Sequence, residues 1–232
     1  MNLVSNKLNG DNSLAIRAGV LIGLLLILIS VPCWGKVLFL AHYDNHGAEA
    51  DYAIGNAAAI PVPALDFKVA GLTKSGRWGS GLDLHEPVSH NCTYDAPGNM
   101  DPIKGTVDFW YCIDEEGQTY NPIFGWYDPP SHPGGKKKVS AFELYRYGAS
   151  LIFAIHQPYA QMSVPFDLDV GHWHHMEINW DCTGGDGKSE YNVYLDGKNV
   201  LRMTEAIAFK SAGGSLHLGI WDYGWGVALR GR

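Results

Sequence analysis

Positive charge is scarce in this chain. Seventeen lysines and arginines face 24 acidic residues, for a formal net charge of -7. The one basic run, Lys136 to Lys138, follows Pro129, Pro130, Pro133, Gly134 and Gly135 and reads as a solvated loop tip. A nucleic-acid partner is excluded on that ground, because neutralising phosphates takes a concentrated basic surface. Long apolar runs are also missing, apart from Ala18 to Val31, which is short for a membrane span. No internal repeat and no sustained helical period occurs, which excludes bundles and solenoids.

Catalytic signatures are equally sparse. There is no Gly-x-Ser-x-Gly elbow to position a nucleophilic serine. His85-Glu86 and His90 are one residue too far apart for a zinc-protease helix, and Pro87 would break that helix. Gly187-Lys188-Ser189 resembles the end of a phosphate loop, but Cys182 stands where the first glycine is needed. Glu49 and Asp51 begin a glucanase-like carboxylate pattern that fails at Ile54. Asp114, Glu115 and Glu116 read as a solvated turn before Gly117, and Asp108 is the one carboxylate within the Gly105 to Ile113 strand.

Cysteine is limited to four residues. The apolar run, preceded by Lys7 and Arg17 and followed by Pro32, has the layout of a secretory signal helix over residues 1–35. Cleavage after Gly35 places Cys33 and Gly35 at the recognition positions and leaves Lys36 as the new start. The alternative is an uncleaved signal-anchor, the one route to a membrane. Either way the expected location is secreted, periplasmic or cell-surface. Cys92, Cys112 and Cys182 would remain, enough for one disulfide and one thiol, with no pairing specified by spacing. Cys112 also fits a buried small hydrophobe. Asn91-Cys92-Thr93 is a glycosylation sequon.

What the chain does have is 28 glycines, 12 prolines and 12% aromatic residues, the make-up of short strands joined by many turns. Val107, Phe109, Tyr111 and Ile113 alternate with Thr106, Asp108, Trp110 and Cys112, so one face of that strand is apolar. Phe142, Leu144 and Arg146 alternate with Glu143, Tyr145 and Tyr147, and Gly148-Ala149 offers a turn into Ser150 to His156. Asp196-Gly197 between Tyr191–Leu195 and Asn199–Met203 predicts a hairpin with a type I′ turn. Lys36 to Tyr43 reads as a strand apolar on both faces and hence buried. Gly47 to Pro63 reads as loop with a short strand after it.

Taken in order, GTVDFWYCID, GHWHHMEINWD, YNVYLDGKNV and SLHLGI resemble the successive strands of the laminin-G-like, pentraxin-related jelly rolls, also described as concanavalin A-like. LFLAHYDNHGAEADYAIGN and SGRWGSGLDL resemble the family's opening segments, so the likeness spans most of residues 36–232. It implies an all-β, two-sheet antiparallel jelly-roll sandwich in one domain, with a final strand expected beyond Arg232. Without that strand, Lys36 to Tyr43 would be an open edge.

The resemblance also implies calcium, held by oxygen ligands among which Asp44 and its neighbour Asn45 match the opening turn; a strand-end turn is the other role open to Asp44. His172 and His174 share one face of a strand and His175 the other, so the three do not converge on a metal. Trp126, Tyr127, Tyr145, Tyr147, Trp221, Tyr223 and Trp225 are the aromatic residues able to stack on sugars, set against core packing. Of these, Trp126, Tyr127, Trp221, Tyr223 and Trp225 are the expected ligand rim. The expected function is non-catalytic recognition of carbohydrate or a glycoconjugate. The alternatives are a structural or protein-interaction module of a larger protein and a divergent polysaccharide hydrolase or lyase.

Overall fold

The period-two segments form strands. The computed structural model describes residues 36–44, 48–59, 68–69, 76–82, 90–113, 120–127, 140–156, 159–166, 169–205 and 213–219. Contacts cluster into two units, Met1–Val37 and Leu38–Arg232. Only Lys36 and Val37 of the first are described, so the expected signal helix lies outside the described residues. Among the described residues every regular element is a strand: β1 Phe39–Leu40, β2 Tyr52–Ala53, β3 Lys68–Val69, β4 His90–Asp95, β5 Lys104–Cys112, β6 Tyr120–Tyr127, β7 Ser140–Tyr147, β8 Ser150–His156, β9 Tyr159–Pro165, β10 Trp173–Asp181, β11 Ser189–Leu195, β12 Lys198–Glu205 and β13 Ser215–Leu218.

Two large sheets result. One has four strands in the order β12-β11-β10-β5, the other seven in the order β3-β4-β13-β6-β7-β8-β9, and β1 pairs with β2 separately. All pairings are antiparallel except β3 with β4. The inner faces meet through aromatic rings. Trp180 of β10 lies 5.5 Å from Phe142 of β7 and 6.2 Å from Trp126 of β6, while Tyr191 of β11 lies 6.0 Å from Phe153 of β8. Met176, Ile178, Val193, Leu144 and Leu151 complete this buried layer, the arrangement of a sandwich core.

The turns follow their chemistry. Asp196 and Gly197 have φ of 51° and 78°, as a type I′ turn requires. Gly148 alone is positive, at 56°, in the turn joining β7 to β8, the pattern of a type II′ turn. Three strands went unread in the sequence. β6 carries Pro122 at a register irregularity, where a missing N–H is tolerated; β4 is short and mostly polar, whereas β9 does alternate, with Ala160, Met162 and Val164 packed on the core between Tyr159, Gln161 and Ser163.

One expectation is corrected. Lys36 to Tyr43 is not buried on both faces: Val37 and Leu40 are exposed, only Phe39–Leu40 is paired, and Phe39, Ala41 and Tyr43 pack on the core. The partner β2 comes from within Gly47 to Pro63, and among the described residues this two-stranded sheet pairs β1 on one side. Tyr94 anchors this corner by donating from its hydroxyl to the Ala48 carbonyl at 2.6 Å. Cys92, Cys112 and Cys182 are all free thiols, the first two buried. The sequon lies inside the paired strand β4, with Cys92 and Thr93 buried.

Candidate functional site

The inward residues of β6, β7, β8 and β13 are large and apolar, so the alternate residues point to the outer face of the seven-stranded sheet. On a simple sandwich that face would be wet. Here it is buried along a central row. Register carries one line of residues across six strands: Thr93, His217, Gly125, Glu143, Ala154 and Gln161. Thr93, His217, Glu143 and Ala154 are each at most 4% exposed. Charged and imidazole groups are seldom that buried outside sites of specific chemistry.

Gly125 lies between His217 and Glu143 in that row. The two side chains stand two strand spacings apart, about 9.6 Å between backbones, with no side chain on the strand between them. The His217 ring is fixed by its own strand, since Nε2 lies 2.7 Å from Ser215 Oγ. Ser215 belongs to the next row, opposite Asp95 and Tyr127.

Tyrosines occupy the other side of the row. Tyr145 follows Glu143 on the same face of β7, and Tyr147 follows Tyr145. Tyr120 sits beside both, with ring centroids 5.0 Å from Tyr145 and 6.4 Å from Tyr147. Tyr159 of β9, opposite His156, flanks the row from the Ser215 side and donates its hydroxyl to Gln161 Oε1. Tyr147 and Tyr159 are more than half exposed, whereas Tyr145 is half-buried. Burial pushes the Tyr145 phenol up to about 12, with the negative charges of Tyr159 and Glu143 acting in the same direction. At neutral pH it is therefore a hydrogen-bond donor. Glu143 and His217 lie beneath this surface, and the exposed rings of Tyr147 and Tyr159 are the groups able to cover a sugar's C–H face.

The expected rim is only partly accessible to comparison. Trp126 is corrected: it is 1% exposed, donates its indole N–H to the Gly213 carbonyl at 3.0 Å and packs on Phe142 and Trp180. It points inward because β6 places it in phase with Phe124. Tyr127 lies on β6 opposite Ser215. Trp221, Tyr223 and Trp225 lie outside the described residues.

Among the described residues no group of three or more His, Cys, Asp or Glu could hold a metal. Asp44 accepts the Ser80 N–H at 2.9 Å and so secures a loop, while Asn45 lies outside the described residues. The histidines separate as their alternation predicts: His174 Nδ1 meets Asp196 Oδ2 at 2.8 Å, and His175 Nε2 meets Asp108 Oδ1 at 2.9 Å.

Sequence reading missed Glu143 and His217. Their signal was available in part, since Glu143 alternates with Phe142 and Leu144 in a strand otherwise built for a core. That His217 shares its row depends on β13 inserting between β4 and β6, which no local pattern encodes.

No family model and no curated protein matches the chain. Solved structures similar to it include an endo-β-1,4-glucuronan lyase from the fungus Trichoderma reesei, 16% identical with a TM-score of 0.46, over 75% of this chain and 80% of that one. Mouse laminin α1 domains LG4-5 are 14% identical with a TM-score of 0.43, over 65% of this chain and 38% of that one. The sialidase CBM40 of Ruminococcus gnavus, in complex with α2,3-sialyllactose, is 15% identical with a TM-score of 0.43, over 61% and 80%. At these identities and scores no activity is carried over to this chain.

Proposed function

We propose that this chain is an exported carbohydrate-recognition sandwich that holds a neutral glycan segment on the outer face of its seven-stranded sheet. One observation carries the reading: Tyr120, Tyr145, Tyr147 and Tyr159 border a buried polar row containing Glu143 and His217. Rings supply apolar cover at low entropic cost, and buried polar groups supply orientation. The buried carboxylate and the net charge of -7 disfavour polyanionic glycans. The test is calorimetric titration with neutral oligosaccharides. Tyr147→Ala and Tyr159→Ala should each weaken binding about tenfold, the loss of roughly 1.4 kcal/mol of ring contact. Unchanged affinity in both variants would refute the site.

A catalytic reading has the same Glu143 and His217 in its favour. Glycoside hydrolysis needs a second carboxylate roughly 5 to 9.5 Å from the first. Among the described residues the other carboxylate on this face of the sheet is Asp95, three strands and one row away, with backbones about 16 Å apart by sheet geometry. Recognition is therefore the better-supported use. Release of reducing ends or unsaturated sugars from polysaccharides, lost in Glu143→Gln, would reverse that choice.

A further inference from the structure

The opposite sheet carries a second cluster that the proposed glycan face does not use. Trp78 is 67% exposed, an unusual position for so large an apolar ring. It is held in place. Its ring meets Trp110 of β5 edge-on at 5.1 Å, and the Arg77 guanidinium lies 5.3 Å from Trp78 and 5.0 Å from Trp110. The loop is closed by the Gly76 N–H donating to the Gly79 carbonyl at 2.8 Å and is tied down by Asp44 at Ser80.

Polar groups line the neighbouring positions. Trp110 pairs in register with His175, and Asp108 with Glu177. Two carboxylates directly opposite one another disfavour the sheet, and each has a separate partner, His175 for Asp108 and Asn179 for Glu177. A local penalty kept beside an exposed tryptophan marks a place where function outweighs pairing.

We propose that Arg77, Trp78, Trp110, Asp108, His175 and Glu177 form a second binding site, for a neutral pyranose ring. The chemistry selects that ligand. Arg77 against Asp108 and Glu177 gives mixed charge, which matches neither a polyanion nor a polycation. An open indole face covers the axial C–H bonds of a pyranose, while carboxylate and guanidinium are planar groups suited to neighbouring hydroxyls. With a site on each outer face, one module bridges two glycan chains.

The test uses neutral β-1,4-linked hexasaccharides of glucose, mannose, xylose and N-acetylglucosamine as probes, with calorimetry for stoichiometry and iodide quenching for Trp78. The expected result is two equivalents bound per chain of at least one probe, with Trp78 protected from iodide. Trp78→Ala should remove one equivalent and Trp78→Phe should retain it; Tyr147→Ala should weaken the other. Two equivalents persisting in Trp78→Ala would overturn this inference and leave the glycan face intact. Loss confined to Trp78→Ala, with Tyr147→Ala and Tyr159→Ala both silent, would support it while refuting the glycan face. No binding by the native chain overturns it as well.

Discussion

Single residues set the electrostatics of the seven-stranded sheet's outer face and of the sheet edges. Tyr145 is held high first by burial and then by the charges of Tyr159 and Glu143. Its phenol should titrate near 12 in an ultraviolet pH scan, and Glu143→Gln should move it partway back towards 10, burial remaining the larger cause. No movement would separate Glu143 from the tyrosines. Burial likewise pushes the Cys92 thiol up to about 12, so it should resist thiol reagents at pH 8 until the chain unfolds.

Two surface carboxyls act in the opposite sense. The Lys104 ammonium, helped by Thr183, lowers Asp181 to about 2. Burial opposes ionisation of Asp196, yet hydrogen bonds from His174 and the His175 N–H hold it below its ordinary value. A carboxyl depressed in the folded state stabilises fully above its unfolded value near 4, and that contribution is lost as pH falls through the folded value. Urea midpoints should therefore drop between about pH 4 and pH 2. Asp181→Asn should flatten part of that slope, modestly because the pair is exposed and screened by salt.

At the scale of elements, hairpins and close packing make the sheets. At Gly197, with φ of 78°, an added Cβ meets nothing within 4 Å. Gly197→Ala should then cost only backbone strain, about 1 to 2 kcal/mol. Gly105 is different. A Cβ there would penetrate the Trp180 ring, so Gly105→Ala should cost about 1 to 3 kcal/mol by overpacking, read by denaturant unfolding. A Gly105→Ala variant as stable as the native chain would contradict the close approach of Trp180. These elements were also the ones legible in sequence: β5, β10, β11 and β12 show period-two alternation, and Asp196-Gly197 states its turn type outright. β6 was hidden by its proline. Trp126 was misplaced because its loop-like surroundings outweighed its phase with Phe124.

Across the whole molecule the two sheets are joined by Trp180 against Trp126 and Phe142. Trp180→Ala should cost about 3 to 5 kcal/mol and lower the cooperativity of unfolding, since it removes contacts to both sheets at once. A loss of under about 1 kcal/mol would mean that the facing layers repack readily.

Composition and alternation by themselves determined that this chain builds an all-β sandwich. Those properties are local: side chains alternate every second residue, and turn geometry is chosen by adjacent residues. Only the tertiary structure decided which polar side chains meet. Thr93, His217, Gly125, Glu143 and Gln161 share a row because strands distant in sequence lie side by side in one register, and a shift of one residue would send every member to the other face. Trp78 reaches Trp110 for a related reason, through a loop pinned by Asp44.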